Sequence, residues 1–304
     1  MRLKSFHLAG LIALASALLT SSVGLFADGG PGPLIVRNQY GDMVRLYGQG
    51  LYAYDSHFRA PIFRGTDLIV LLLCCPLLAY SLGSDLRKGT LKARMLLIAV
   101  LTVVLYYGAS IAFGVSYNSL HLVYILLFSA SFFGLIGTYR SIPTGVLASM
   151  VQWKLPIRGL SIFLVITGAA LLAAWLPEIL LALKSGRPPA LIETYTTEIT
   201  YVLDLGIIVP LCFIALSLLR RRNPMAHVLL AALLLLCIVI GIMLPVQTLF
   251  QLQAGIELPV PVLITKMASF CILAAFALYF FWRLTGDVDS AGAIHSTESQ
   301  STTR

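Results

Sequence analysis

The segment from Tyr52 to Gly65 gathers Tyr52, Tyr54, Asp55, His57, Arg59 and Arg64, a dense run of titrating, donating and stacking groups. Arg59 and Arg64 flank Pro61, and with His57 they could grip a phosphate or carboxylate through paired N–H donors. Asp55 or Asp67 would then be the nearby base. Contact of the same arginines with lipid phosphates is an equally simple account. Asp67 stands where an apolar run begins, and Asp204 stands at the start of a later one. A carboxylate entering hydrocarbon is costly unless paired or hydrated. Each is therefore read as a helix cap, as an ion-pair partner (of Arg59 or Arg64 in the case of Asp67), or as a ligand or proton site, with the cap preferred. The cap suits Asp204 less well, because Tyr201 to Leu203 already read as helix.

His57 and His121 are the histidines expected on the same face, and Asp55, Asp67, Glu198 and Asp204 could join them around a cation. They lack the paired spacing at which zinc ligands usually occur, so no metal and no cofactor is expected. The five cysteines all fall inside apolar runs and read as small buried hydrophobes. There is no P-loop, no G-x-S-x-G elbow and no H-E-x-x-H, which argues against ATP-driven transport and conventional serine or zinc hydrolysis by this chain alone.

The elements that must position these groups are membrane spans. Apolar residues make up 59% of the 304 and charged ones 11%, against roughly 25% charge in a soluble domain. The chain reads as an all-α integral membrane protein of about eight transmembrane helices, a polytopic domain over 1–285 with a disordered cytoplasmic tail at 286–304. The spans are expected near 6–26, 66–82, 95–115, 120–138, 160–183, 201–219, 226–250 and 262–282. The first is either retained or a signal peptide, and a retained span is preferred because the cleavage signal is poor. The tyrosine-rich loop 28–65 is expected to lie partly on the membrane as a short helix. Lys266, one turn inside the eighth span, can snorkel outward.

Lys and Arg number 21. Fourteen fall on the face that holds the N-terminus and seven on the other, so both termini are expected in the cytoplasm and loop 28–65 outside an inner (plasma) membrane. The positive charge is thereby topological, and nucleic acid is not an expected partner. Placing Asp67 on Asp204 also aligns Cys75 with Cys212, which suggests two parallel four-span repeats over about 1–140 and 160–285. The expected partners are the bilayer and a small solute or lipid headgroup. The leading expectation is a transporter-like protein with a polar entrance near Asp67 and Asp204. The rivals are an enzyme acting on a lipid-linked substrate at the outer leaflet and a non-catalytic sensory or assembly subunit.

Overall fold

The eight apolar runs fold as eight helices. The computed structural model describes residues 3–288, with the backbone alone at 260–266, so the expectation for the Lys266 side chain lies outside the described residues. The helices are α1 (Ser5–Phe26), α2 (Ala60–Lys88), α3 (Leu91–Gly114), α4 (His121–Arg140), α5 (Ile157–Ser185), α6 (Ile199–Arg220), α7 (Met225–Gln253) and α8 (Val260–Asp287). Each is long and apolar enough to cross a bilayer. The shortest, α4 with 20 residues, reaches about 30 Å at 1.5 Å per residue. The chain is a multi-span membrane protein.

Packing makes α3 and α7 the axis of the bundle. The apolar windows of α3 and α7 are 61% and 56% buried, against 33% for α4 and α5, so the latter pair present most of their surface to lipid. Helix α7 packs on α2, α3, α6 and α8, while α1 packs on α2 and α4. The break between α2 and α3 is chemical. Gly89 takes a left-handed conformation (φ 57°) that ends α2, and the Thr90 side chain accepts from the Ala93 amide to start α3.

Helices α2 and α6 each contain one π turn, at Val70–Cys74 and Asp204–Ile208. The amide of Cys75 reaches Val70 O, and that of Val209 reaches Asp204 O. A proline stands two residues beyond each π turn, Pro76 and Pro210, where its missing N–H removes one helical hydrogen bond. Pro76 and Pro210 lie 134 positions apart and Asp67 and Asp204 lie 137 apart, so the backbone signature and the acid pairing are in different registers.

Helix α2 starts six residues before the expected boundary. Pro61 in its first turn is pre-set for helix, and the polar residues through Arg64 are helical. Loop 28–59 holds a two-stranded hairpin where an interfacial helix was expected. Strands β1 (Ile35–Arg37) and β2 (Met43–Arg45) pair antiparallel with Val36 opposite Val44. The Asn38 Oδ1 atom accepts from Tyr40 N and Asp42 N to close the turn. The hairpin turn is tied to the loop before α6: Asn38 donates to Glu193 O and Gln39 to Tyr195 O. This end of the bundle is called the hairpin face below.

At the opposite face a seven-residue helix, Thr144–Met150, bridges α4 and α5. Val151 pairs with Val288, and Gln152 N donates to Asp287 O at 3.0 Å. The tail expected to be free from residue 286 is therefore fixed through Val288, and 289–304 lie outside the described residues.

Candidate functional site

Asp67 lies two turns inside α2, since the N-cap position is Arg59. It is not a cap. Its side chain is fully buried and each oxygen is engaged by a tyrosine hydroxyl: Tyr52 donates to Oδ2 at 2.7 Å and Tyr107 of α3 donates to Oδ1 at 2.6 Å. Glycine at position 24 of α1 makes room for this arrangement, because a Cβ there would overlap the Asp67 carboxylate and touch the Tyr52 hydroxyl. The expected pairing with Arg59 or Arg64 is absent among the described contacts.

Directly above Tyr52 a cavity of about 350 Å³ opens toward the hairpin face. Its floor and walls include Gly24, Tyr47, Tyr52 and Arg64, and its rim is the glycine-rich chain at 28–32 and 48–50. Two strips of backbone form that rim back to back. Gly32 N donates to Gly48 O at 3.0 Å and Gly50 N to Gly29 O at 2.6 Å. A side chain at Gly48, where φ is 79°, would run into the Gly32 carbonyl. The Arg64 guanidinium is positioned by donation to Tyr47 Oη (2.8 Å) and Leu25 O (3.0 Å), which leaves further N–H groups for an anion.

Asp204 occupies a different place. It accepts from Tyr106 Oη at 2.9 Å and from Trp175 Nε1 of α5 at 2.8 Å, and Trp175 stacks on Tyr201 at 4.7 Å between centroids. It too lies inside its helix, as the sixth residue, so the cap reading fails there as well.

Asp55 is buried beneath the α3–α4 turn. Its Oδ1 atom accepts from Ser116 N at 2.7 Å and from Tyr195 Oη at 2.9 Å. Its Oδ2 atom has no hydrogen-bond partner among the described residues. Burial raises its pKa to about 7, against which the Ser116, Tyr195 and Arg59 interactions work.

Arg59 joins the two loops of the hairpin face. It bonds Glu198, donates to Leu191 O at 3.0 Å, lies 3.9 Å from Glu193 and stacks over the Tyr195 ring at 4.4 Å. Ser56 adds a bond to Glu193. Burial raises the pKa of both Glu193 and Glu198, partly offset by Ser56 at Glu193 and by Arg59 at both. His57 stacks near Tyr47 at 6.2 Å and lines a second cavity of about 410 Å³ with Arg45, Asn38 and Glu193. Partial burial and Arg45 hold its pKa below the usual imidazole range. His121 opens α4 between the rings of Tyr117 and Tyr124.

Asp55, His57, Arg59, Arg64 and Asp67 therefore do not meet in one pocket. Arg64 faces the glycine-rimmed cavity with Asp67 below it, His57 faces the other cavity, and Arg59 and Glu198 consume each other. The chain matches no protein-family model, no curated protein and no solved structure.

Two polar clusters at the opposite face escaped the sequence reading. Lys4 N donates to His7 Nδ1 at 3.2 Å, so Nε2 carries the proton toward Asp85 Oδ2 at 2.7 Å. Arg94 Nε donates to the other Asp85 oxygen at 2.8 Å, bonds Ser141 and lies over the Phe6 ring at 4.8 Å. In the second half His227 meets Asp287 at 2.8 Å with Trp153 edge-on to its ring. The available signal was Asp85 standing beside a basic run; nothing in the sequence tied it to His7, 78 positions away.

Proposed function

We propose that this chain is a permease-like membrane protein that admits a small solute carrying an anionic group from the hairpin face. The observation that carries the reading is the glycine-rimmed cavity of about 350 Å³ with Arg64 in its wall. Its volume falls in the range of small-molecule sites. Bare backbone at the rim and a pre-positioned guanidinium in the wall suit an anion better than an apolar guest. The positive charge bias supports an orientation in which this cavity lies outside an inner membrane and both termini lie in the cytoplasm. The π turn and proline shared by α2 and α6 support a two-repeat origin, with the entrance formed by the first repeat and Asp204 serving another contact.

Two measurements test this. Gln49 lies exposed on the rim, so Gln49→Cys in a Cys271→Ser background is expected to react with a membrane-impermeant maleimide in intact cells. Labelling only after permeabilisation would reverse the orientation. Thermal unfolding of the purified protein with inorganic phosphate, acetate or glutamate is expected to show stabilisation by at least one of them in the wild type and its loss in Arg64→Gln. Identical behaviour of the two proteins toward all three would remove the anion reading. Where one anion binds, its uptake into proteoliposomes tests transport.

A further inference from the structure

The second cavity at the hairpin face, of about 410 Å³, shares no lining residue with the Arg64 cavity and has its own chemistry. Four segments enclose it: the β-hairpin, the chain before α2, the loop before α6 and the chain after α7. Hydrogen bonds fix these walls. His57 N donates to Arg45 O at 2.8 Å, which sets the two residues side by side, and Asn38 Nδ2 donates to Glu193 O at 2.9 Å, which joins the hairpin to the loop before α6. Met43 and Arg45 are two apart in β2 and share one face of the strand, so an apolar and a cationic side chain stand on the same wall.

The charged groups of this cavity are unequally engaged. Asp42 pairs with Arg187 at 3.6 Å, and Glu193 is held by Ser56 and lies 3.9 Å from Arg59. Arg45 has no acid within ion-pair distance among the described residues, so its guanidinium is the charge left over. Most of the remaining lining is apolar, with Met43, Phe58, Leu191 and Ile256 in it, and Met43 is 62% exposed. Apolar side chains gathered at an open cavity gain by being covered, and an unengaged guanidinium gains from a pair of anionic oxygens. A ligand that satisfies both has an apolar chain and an anionic head.

The cavity also lies at the depth where such molecules are found. Helices α2 and α7 have 29 residues each, about 43 Å, which matches a bilayer with its headgroups. Phe58 lies two residues before α2 begins and Ile256 three after α7 ends, and Gln251 Nε2 donates to Phe58 O at 3.1 Å. Both residues therefore stand at headgroup level. Gly255 (φ 76°) turns Ile256 back toward α7: Gly255 N donates to Leu252 O at 3.0 Å and Ile256 N to Gln251 O at 3.1 Å. Leu249 and Leu252, exposed near the end of α7, bring apolar surface up to this point from the bilayer side. We propose that this cavity binds an acyl amphiphile, its carboxylate or phosphate head at Arg45 and His57 and its upper chain along Met43, Phe58, Leu191 and Ile256. The source is either a lipid of the surrounding leaflet or a free fatty acid. The site does not rest on the solute assigned to the Arg64 cavity.

The test uses the purified full-length protein in phosphatidylcholine nanodiscs with a palmitate analogue that carries a diazirine in its chain and a terminal alkyne. Irradiation and peptide mass spectrometry are expected to place the label on peptides holding Met43, Phe58, Leu191 or Ile256. Oleate is expected to compete, whereas oleyl alcohol, a chain without the charge, and acetate, a head without the chain, are not. Arg45→Gln is expected to raise the oleate concentration for half-competition about tenfold, and Arg45→Lys to recover part of that loss. Met43→Glu, which sets a like charge on the same wall, is expected to weaken competition as well. Both positions are exposed on the hairpin, so these variants are expected to unfold at the wild-type temperature. Replacing part of the phosphatidylcholine with phosphatidylglycerol separates the sources: suppressed labelling supports the proposal with a bilayer lipid as occupant, and undiminished labelling supports it with a free amphiphile. Labelling confined to lipid-facing helix surfaces, equal competition by oleyl alcohol, or an unchanged oleate dependence in Arg45→Gln and Met43→Glu each overturns it. Such a failure leaves the small-anion stabilisation and its loss in Arg64→Gln untouched, so the two cavities are judged separately.

Discussion

Tyr106 and Tyr107 adjoin in α3 yet donate to different carboxylates, Tyr106 to Asp204 at 2.9 Å and Tyr107 to Asp67 at 2.6 Å. Successive residues of a helix point about 100° apart, so the pair faces two neighbours at once. Helix α3 thereby holds α2 and α6 by one acid each. Asp67 and Asp204 are neither opposed across a cavity nor stranded at lipid-facing helix ends; they are the two sides of a clamp centred on α3.

The clamp makes a paired prediction. Tyr107→Phe deprives a fully buried carboxylate of one of its two donors and is expected to cost about 1–3 kcal/mol. Tyr106→Phe leaves Asp204 with the Trp175 donor and is expected to cost less. A double-mutant cycle of Tyr107→Phe with Asp67→Asn, read by denaturant unfolding, is expected to show coupling, and the cycle of Tyr106→Phe with Asp67→Asn to be additive within about 0.5 kcal/mol. Equal coupling in both cycles would contradict separate roles.

Much of the fold was legible because membrane spans write themselves in composition. Eight apolar runs became eight helices, and their ends moved mainly where polar residues continue a helix, as at Ala60–Gly65. The site was less legible for a physical reason. Asp67 looked like a cap because caps and buried acids both appear as a carboxylate beside an apolar run. What separates them is Tyr52 and Tyr107, 15 and 40 positions away in the chain, and no local pattern announces such partners. The same holds for Arg59, whose acids lie on the loop before α6, and for His7 with Asp85. Arg94, one of the fourteen basic residues counted on the face that holds the N-terminus, is buried on Asp85.

Gly24 supplies a second prediction. A methyl group there would occupy the space of the Asp67 carboxylate, so Gly24→Ala is expected to destabilise by about 1–3 kcal/mol or more through overpacking. In an Asp67→Ala background the same change is expected to cost about 1 kcal/mol less, because the obstructing carboxylate is gone. Urea unfolding of the four proteins checks this; an unchanged cost would mean that α1 and α2 are not in contact at this point.

The pH dependence of stability follows from Asp55, Glu193 and Glu198, all raised by burial. For Asp55, with a usual value of 3.8 and about 7 in the fold, the folded chain keeps a proton between those limits that the unfolded chain releases. The unfolded state therefore binds fewer protons, and stability falls as pH rises from 4 to 7 and levels above it. At about 1.4 kcal/mol per unit the fall amounts to a few kcal/mol. Asp55→Asn is expected to flatten most of this slope in Tm measured from pH 4.5 to 8.5, and an unaltered slope would assign the titration to the two glutamates.

Arg59 gives the most local prediction. Its guanidinium spans Glu198, Leu191 O, Glu193 and the Tyr195 ring, four contacts from one planar group, and its removal leaves the buried Glu198 and the half-buried Glu193 without their cation. Breaking a buried pair from one side costs roughly 3–5 kcal/mol. Because those contacts hold one loop to another and lie outside the helices, Arg59→Ala is expected to loosen the 186–198 segment first, seen as proteolytic cleavage there while the helices persist by circular dichroism. Arg59→Lys should remain largely susceptible, since an ammonium cannot reach the Leu191 carbonyl and a glutamate in the same plane while covering the Tyr195 face. Protection by lysine equal to that by arginine would show that charge alone holds the loops together.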